Sequence, residues 1–415
     1  MVASDLVTTP SFTKRARATL TLLGPAFVAA IAYVDPGNVA SNISAGAQFG
    51  YLLVWVIVIA NVMAGLVQYL SAKLGLVTGM SLPEAVRERT ATPARLAYWG
   101  QAELVAMATD IAEVVGGAIA LKLLFGLPLL VGGVITGVVS LLLLIVQNTH
   151  GQSAFERLVI GLLAVITIGF LTSLFLAPPS VSGAVDGLVP RFAGTESVLL
   201  AAAMVGATVM PHAVYLHSGL ARDRHGHPPP GPAQTRLLNA TRVDVVFAMA
   251  VAGTVNLAML LMAARTLQGR EGIDSLESAH AAVQDALGPA AGLLLAIGLL
   301  ASGLASTSVG AYAGAMIMQG LLRWNVGLLV RRLITIVPAL AILAIGVDPT
   351  WALIISQVVL SFGIPFALVP LVRLTSDREL MGDRVNRRVT KALAWLVTAA
   401  ISALNVALIY LTIWN

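Results

Sequence analysis

Eleven apolar runs, each about 20 residues or longer, fill this chain almost from end to end. They lie at 20–47, 51–77, 97–122, 127–147, 156–177, 196–220, 241–266, 288–322, 328–346, 351–374 and 389–413. Hydrocarbon offers no partner to a backbone N–H or C=O, so such a run crosses a bilayer as a helix. The expected fold class is therefore an all-α polytopic membrane protein with eleven transmembrane helices. Only 11% of the residues are charged, against about 25% in soluble domains. Several runs exceed the minimum length, which implies tilt or helix continuing past the bilayer. Cysteine is absent, which excludes disulfides, Cys-ligated zinc and iron–sulfur clusters. The start, MVASDLVTTPSFTKRARATL, is polar and then basic. It lacks the apolar core and small-residue cleavage site of a signal peptide, so the first span is read as an uncleaved insertion signal. No GxxxxGKS or GxxxxGKT run is present, which argues against ATP as the energy source.

Orientation is read from Lys and Arg. With the N-terminus inside, 21 of the 25 fall on the inner side, Lys14, Arg15 and Arg17 among them. The outer side receives Lys122, Arg191, Arg265 and Arg270. The expected placement is the cell membrane, multi-pass, with a cytoplasmic N-terminus and an extracytoplasmic C-terminus. The basic balance follows from topology and the lipid bilayer, and no nucleic-acid module is visible. No obligatory protein partner is evident. SLESAHAAVQDALG (275–288) has the apolar spacing of a short helix on the outer surface.

Two of the runs are interrupted. YVDPGN in the first carries Asp35, that run's single formal charge, followed by Pro36 and Gly37. VMPH in the sixth carries Met210, Pro211 and His212. Five spans separate the two starts, and five is odd, so the second set of five begins on the opposite side. This predicts an inverted repeat of five plus five, with broken helices 1 and 6 and a site near the midplane. The expected divisions are a tail at 1–19, repeats at 20–177 and 196–374, and an added helix at 389–413.

A carboxylate at the centre of a span costs about 2.5–3.5 kcal/mol on insertion scales, so Asp35 must face a cavity or a partner. Pro36 removes a backbone donor and Gly37 relaxes the helix, which frees carbonyls such as that of Ala32. Asn38 adds a neutral oxygen. At the second break Pro211 cannot bond to the carbonyl of Ala207, and Met210 brings a thioether. Sulfur adds little for Mg²⁺ or Ca²⁺ and more for softer ions, so this set suits Mn²⁺ or Fe²⁺. Gln357 of the tenth run can add an amide oxygen, and Asn256 a similar or outer one. For both, hydrogen bonding between helices is an equal alternative.

The third run, QAELVAMATDIAEVVGG, places Glu103, Asp110 and Glu113 within about 80° on one helix face. Three acids on one stripe in lipid need cations, water or protons. Asp110 and Glu113 are read as a proton relay, and His212, beside the break in the sixth run, can titrate near neutral pH. Glu103 is read as structural, in a charge network with Lys73 and Arg332. His217 is read as structural, and His225 and His227 as part of a solvated Pro-rich loop. The Gly-rich stretches, ASGLASTSVGAYAG among them, are read as close helix packing.

DPGN with MPH, together with TDIAEVVGG and the Gln of ISQVVLSFG, resembles the Nramp family of proton-coupled divalent metal transporters. The likeness runs from about Leu23 onward. It implies a LeuT-type inverted-repeat fold working by alternating access. It implies Asp35, Asn38, Met210, the carbonyls of Ala32 and Ala207, and in some states Gln357 as ligands of the transported metal. It implies a proton path through Asp35, His212, Asp110 and Glu113. Mn²⁺ and Fe²⁺ are then substrates, H⁺ is the coupling ion, and no resident cofactor is expected. Rival readings are a Na⁺-coupled amino-acid or small-solute transporter of the same fold, a metal-conducting channel, and an intramembrane enzyme. The anionic Asp35 opposes the first of these, and the absence of HExxH opposes the last.

Overall fold

The computed structural model describes residues 24–150, 152–324 and 326–414. The tail at 1–19, with Lys14, Arg15 and Arg17, lies outside the described residues, as do 20–23 of the first run and Asn415. Among the described residues every regular element is a helix.

Proline decides where many of these helices begin. It lacks an N–H and has a preset φ, so it suits the first turn, whose donors have no partner within the helix. α1 (Pro25–Ile31) passes into a 3₁₀ turn at Ala32–Val34, and α2 (Pro36–Phe49) then restarts. α3 (Val54–Thr78), the short α4 (Leu82–Arg89), α5 (Thr92–Phe125), α6 (Leu129–His150), α7 (Gln152–Leu176) and the short α8 (Val181–Asp186) follow. α9 (Gly194–Thr208) gives way to α10 (Pro211–His225). Then come α11 (Pro232–Thr266), α12 (Leu276–Leu287), α13 (Pro289–Leu322), α14 (Leu328–Ile345), α15 (Pro349–Thr375), the one-turn α16 (Arg378–Met381) and α17 (Arg388–Trp414). α12 is the surface helix at 275–288. Ser275 caps it, and Leu276, Ala279, Ala282 and Val283 are its buried face.

Among the described residues, eight segments are long and apolar enough to cross a membrane. They are α3, α5, most of α7, the α9–α10 pair taken together, α11, α13, α15 and α17. Pro25–Val34 and Leu129–Leu143 are shorter apolar helices. α5 and α11 begin five and nine residues ahead of their apolar runs, at Thr92 and Pro232. The extra turns carry Arg95 and Arg236, as expected of helix continuing past hydrocarbon.

α5 packs most extensively on α13, with α15 against α5 and α7 against α13. α2 lies on α11, α3 on α10 and α11, α9 on α15, and α17 on the outside of α15. The α9–α10 segment is 94% buried over its most apolar window, against 33% for α17. The two interrupted segments therefore lie in the interior, where a freed backbone group must find a protein partner.

Candidate metal-binding site

Asp35 sits between the 3₁₀ turn and α2 in an extended conformation (φ −70°, ψ 168°). It is the N-cap of α2: its Oδ1 accepts the backbone N–H of Asn38 at 2.8 Å. The side-chain amide of Asn38 donates to the same oxygen at 2.9 Å. Pro36 has no N–H for the carbonyl of Ala32, four residues back. The next two carbonyls are held from other helices. Asn256 of α11 donates to the Tyr33 carbonyl at 2.8 Å, and Ser302 of α13 to that of Val34 at 2.5 Å. Asn42 in turn donates to Asn256 at 3.1 Å. Asn256 thus props the break open and makes no bond to Asp35. Sequence reasoning passed over Ser302, because a serine in a run of small residues reads as packing.

At the second break Val209 and Met210 are non-helical (φ −110°, ψ 55°; φ −60°, ψ 122°). Pro211 leaves the Ala207 carbonyl without its helical donor, and Asn38 Nδ2 supplies one at 3.0 Å. Gln357 of α15 reaches in from a third side, donating to Asp35 Oδ2 at 3.2 Å and to Ser356 at 3.2 Å. Hydrogen bonds therefore bring together Asp35, Asn38, Ala207 and Gln357. Ala32 and Met210 stand on the same two breaks. All six are fully buried.

This close approach depends on glycine. A Cβ on Gly37 would stand 1.8 Å from the Gln357 side chain, and one on Gly206 would stand 2.0 Å from the Gln357 carbonyl oxygen. α15 can lie against both breaks only where those two positions carry no side chain.

Two oxygens in the cluster have no partner. Asn38 Oδ1 and Gln357 Oε1 are buried and accept no hydrogen bond. A buried acceptor left alone costs about 1–3 kcal/mol. Both amides turn their N–H groups on Asp35 and Ala207 and keep an oxygen free. A cation is the ligand that such oxygens, a carboxylate and a thioether have in common. Among the described residues no three His, Asp or Glu side chains gather as a metal cluster, so the candidate ligands are one carboxylate, neutral oxygens and one sulfur.

Next to this cluster the acids of α5 find their partners on α14. Arg332, 1% exposed, pairs with Asp110 and lies 3.7 Å from Glu113. Its other nitrogens donate to Ser140 at 3.1 Å and to Thr307. Neither Glu113 oxygen accepts a hydrogen bond of ordinary geometry. His212 meets Thr109 at 3.3 Å, not Asp110. His217 bonds to Gln68 at 2.7 Å, and Gln68 to the Tyr33 hydroxyl.

The expected network of Glu103, Lys73 and Arg332 is not what forms. Glu103 pairs with Arg331 at 2.8 Å, Arg332 turns to Asp110, and Lys73 bonds to Asn386 at 2.8 Å. Glu103 and Asp110 stand seven residues apart, about 10 Å along a helix, so one guanidinium cannot serve both. Neighbouring residues on α14 point about 100° apart, so Arg331 and Arg332 take one acid each.

Residues 26–411 match the model of the Nramp family, described as natural resistance-associated macrophage protein-like. The chain is 67% identical over 392 residues to a divalent metal cation transporter, MntH, of Mycobacterium tuberculosis, covering 94% of this chain and 92% of that one. It superposes on a manganese transporter of Eremococcus coleocola with a TM-score of 0.85 and 32% identity, over 98% of this chain and 90% of that one. A nucleobase–cation-symport-1 family transporter shares the fold, with a TM-score of 0.59 at 15% identity, over 94% and 92% of the two chains. With a family model that matches nearly its whole length and a relative two-thirds identical, the chain belongs to the Nramp family.

Proposed function

We propose that this protein imports divalent transition-metal ions, Mn²⁺ and with it Fe²⁺, in symport with H⁺ by alternating access. The observation that carries this reading is the pair of buried, unpartnered amide oxygens at the junction of the two breaks, beside Asp35 and Met210. The similarity to a divalent metal cation transporter and to a manganese transporter favours the same reading. Asp35, Asn38, Met210, Gln357 and the carbonyls of Ala32 and Ala207 are the proposed ligands of the transported ion. The metal takes the place of the amide N–H groups now on Asp35, and the two amides then offer it their oxygens. Its charge favours the ionised carboxylate, so a proton leaves Asp35 or a neighbour as the ion binds.

Asp110, Glu113 and His212 are the proposed route for that proton. Two carboxylates share one guanidinium at Arg332. One positive charge cannot balance two negative ones in a dry interior, so the second acid is where a proton resides. The same reading takes 20–177 and 196–374 as inverted five-helix repeats, each opening on a broken helix, with 389–413 as an eleventh span. It places the N-terminus in the cytoplasm and the C-terminus outside the cell membrane. The ligand cluster is closed to solvent on every side, which favours a carrier over an open channel. It calls for no resident cofactor, no protein partner and no catalysis.

Purified protein in liposomes tests the reading. Wild-type vesicles should take up Mn²⁺ and acidify. Asp35→Ala and Asn38→Ala should abolish uptake, and Asp110→Asn should reduce the proton flux that accompanies metal. Intact uptake in the first two variants would overturn the site, and normal proton flux in the third would remove Asp110 from the route.

A further inference from the structure

Among the described residues, three cations at the inner end of the bundle pair with no acid. Lys73, near the end of α3, bonds through Nζ to the side-chain oxygen of Asn386. Arg384, in the stretch before α17, bonds to Gln234 at 3.2 Å and to Thr235 on α11. Arg242, exposed on α11, lies 5.0 Å over the Tyr69 ring and donates to its hydroxyl at 3.3 Å. Every one of these partners is neutral. Among the described residues none of the three makes an ion pair, whereas Arg89, Arg191, Arg222, Arg331 and Arg332 all do.

Helix geometry gathers them. Tyr69 and Lys73 are four apart on α3, and Thr235 and Arg242 are seven apart on α11, so each pair shares a face. α3 and α11 pack side by side. Arg384 and Arg242 both act on the Lys73 ammonium, like charge on like. Of the nearby acids, Asp244 is engaged elsewhere: it accepts the backbone N–H groups of Gly24 and Ala26 at the start of α1. Glu379 and Asp383 share a cavity of about 870 Å³ with Arg384, Gln234 and Thr235, without pairing with Arg384 among the described residues. Beyond Arg242 the outer face of α11 is bare and apolar, with Val246 61% and Phe247 60% exposed.

We propose that Lys73, Arg242 and Arg384 form a headgroup site for an anionic phospholipid of the inner leaflet, with its acyl chain along Val246 and Phe247. A phosphate supplies the negative charge that the three cations lack. The apolar face beside them selects a lipid over a soluble anion. The cytoplasmic leaflet is the anionic one, and basic pockets between helices on that side suit such headgroups. The bound lipid joins α3 and α11 to the stretch leading into α17.

Native mass spectrometry of the full chain in detergent tests this, with phosphatidylglycerol and phosphatidylcholine of matched chains. Phosphatidylglycerol should be retained preferentially. Arg242→Gln should weaken it about fivefold, and the triple change Lys73→Gln, Arg242→Gln, Arg384→Gln on the order of a hundredfold. Phosphatidylcholine should be unaffected, as should a control variant, Arg265→Gln, at the other end of α11. Arg242 is exposed, so its variant answers the question even if the triple variant does not fold. Equal retention of the two lipids would overturn the proposal, as would an Arg265→Gln effect equal to that of Arg242→Gln. Displacement of the lipid by millimolar inorganic phosphate would assign the cations to a soluble anion instead.

Discussion

The side-chain amide of Asn38 donates to the main-chain carbonyl of Ala207 at 3.0 Å. That bond joins the first turn of α2 to the last turn of α9, across 169 residues of sequence. The same nitrogen serves Asp35 Oδ1 at 2.9 Å. A shift of α9 against α2 is therefore felt at the carboxylate without any contact between Asp35 and α9. The two breaks behave as one polar unit because the first supplies what the second lacks: Pro211 withholds a donor from the Ala207 carbonyl, and Asn38 replaces it.

As a proposed ligand, Met210 gives a prediction about which ion is chosen. A thioether favours softer divalent metals and adds little for Ca²⁺. Met210→Ala should narrow the preference for Mn²⁺ over Ca²⁺ on the order of tenfold, about 1.4 kcal/mol. Competition uptake in liposomes checks it, and an unchanged ratio would show that sulfur does not set the selectivity.

Gly206→Ala should destabilise the fold as well as the site. The added Cβ would meet the main-chain oxygen of Gln357 at 2.0 Å, and backbone cannot swing aside as a side chain can. Overpacking costs about 1–3 kcal/mol or more, visible as a lower melting temperature in detergent. Gly161→Ala on α7, where nothing lies within 4 Å of the new methyl, should be neutral or raise stability by up to about 1 kcal/mol.

Arg332→Gln leaves Asp110 and Glu113 buried without their cation, which should cost about 3–5 kcal/mol. Adding Asp110→Asn should recover much of the loss, since it removes the stranded charge that Arg332 pairs with. Arg332→Lys should recover less, because one ammonium cannot reproduce the bonds to Asp110, Ser140 and Thr307. Thermal melts of the three variants against wild type decide it. If the double variant is no more stable than Arg332→Gln, the pair is not coupled as described.

Glu84, on the short α4, gives a pH dependence. Burial works to raise its pKa, but the Ser81 backbone, the Ser81 hydroxyl and Arg222 outweigh this and hold it below the usual carboxylate range. Ser81 donates to it at 2.6 and 2.8 Å. A depressed carboxylate stabilises the fold fully above its unfolded pKa, about 4.3, and loses that contribution as pH falls through the folded value. The melting-temperature gap between wild type and Glu84→Gln should therefore be widest at neutral pH and close on acidification. A gap that stays constant down to pH 3 would refute the assignment.

The sequence by itself determined where helices stop and start. Pro36 and Pro211 act through a missing N–H on their own residue, so both interruptions are legible without any fold. The same holds for the apolar runs and for the apolar spacing of the short helix at 275–288. The tertiary structure decided which partner each buried polar group took. Glu103 chose Arg331, Arg332 chose Asp110, Lys73 chose Asn386, and the Tyr33 and Val34 carbonyls were taken by Asn256 and Ser302. Each choice turns on which helix faces come within about 3 Å. All of these partners stand more than 200 residues apart, so the choice is fixed by packing between helices and not by any local run of residues.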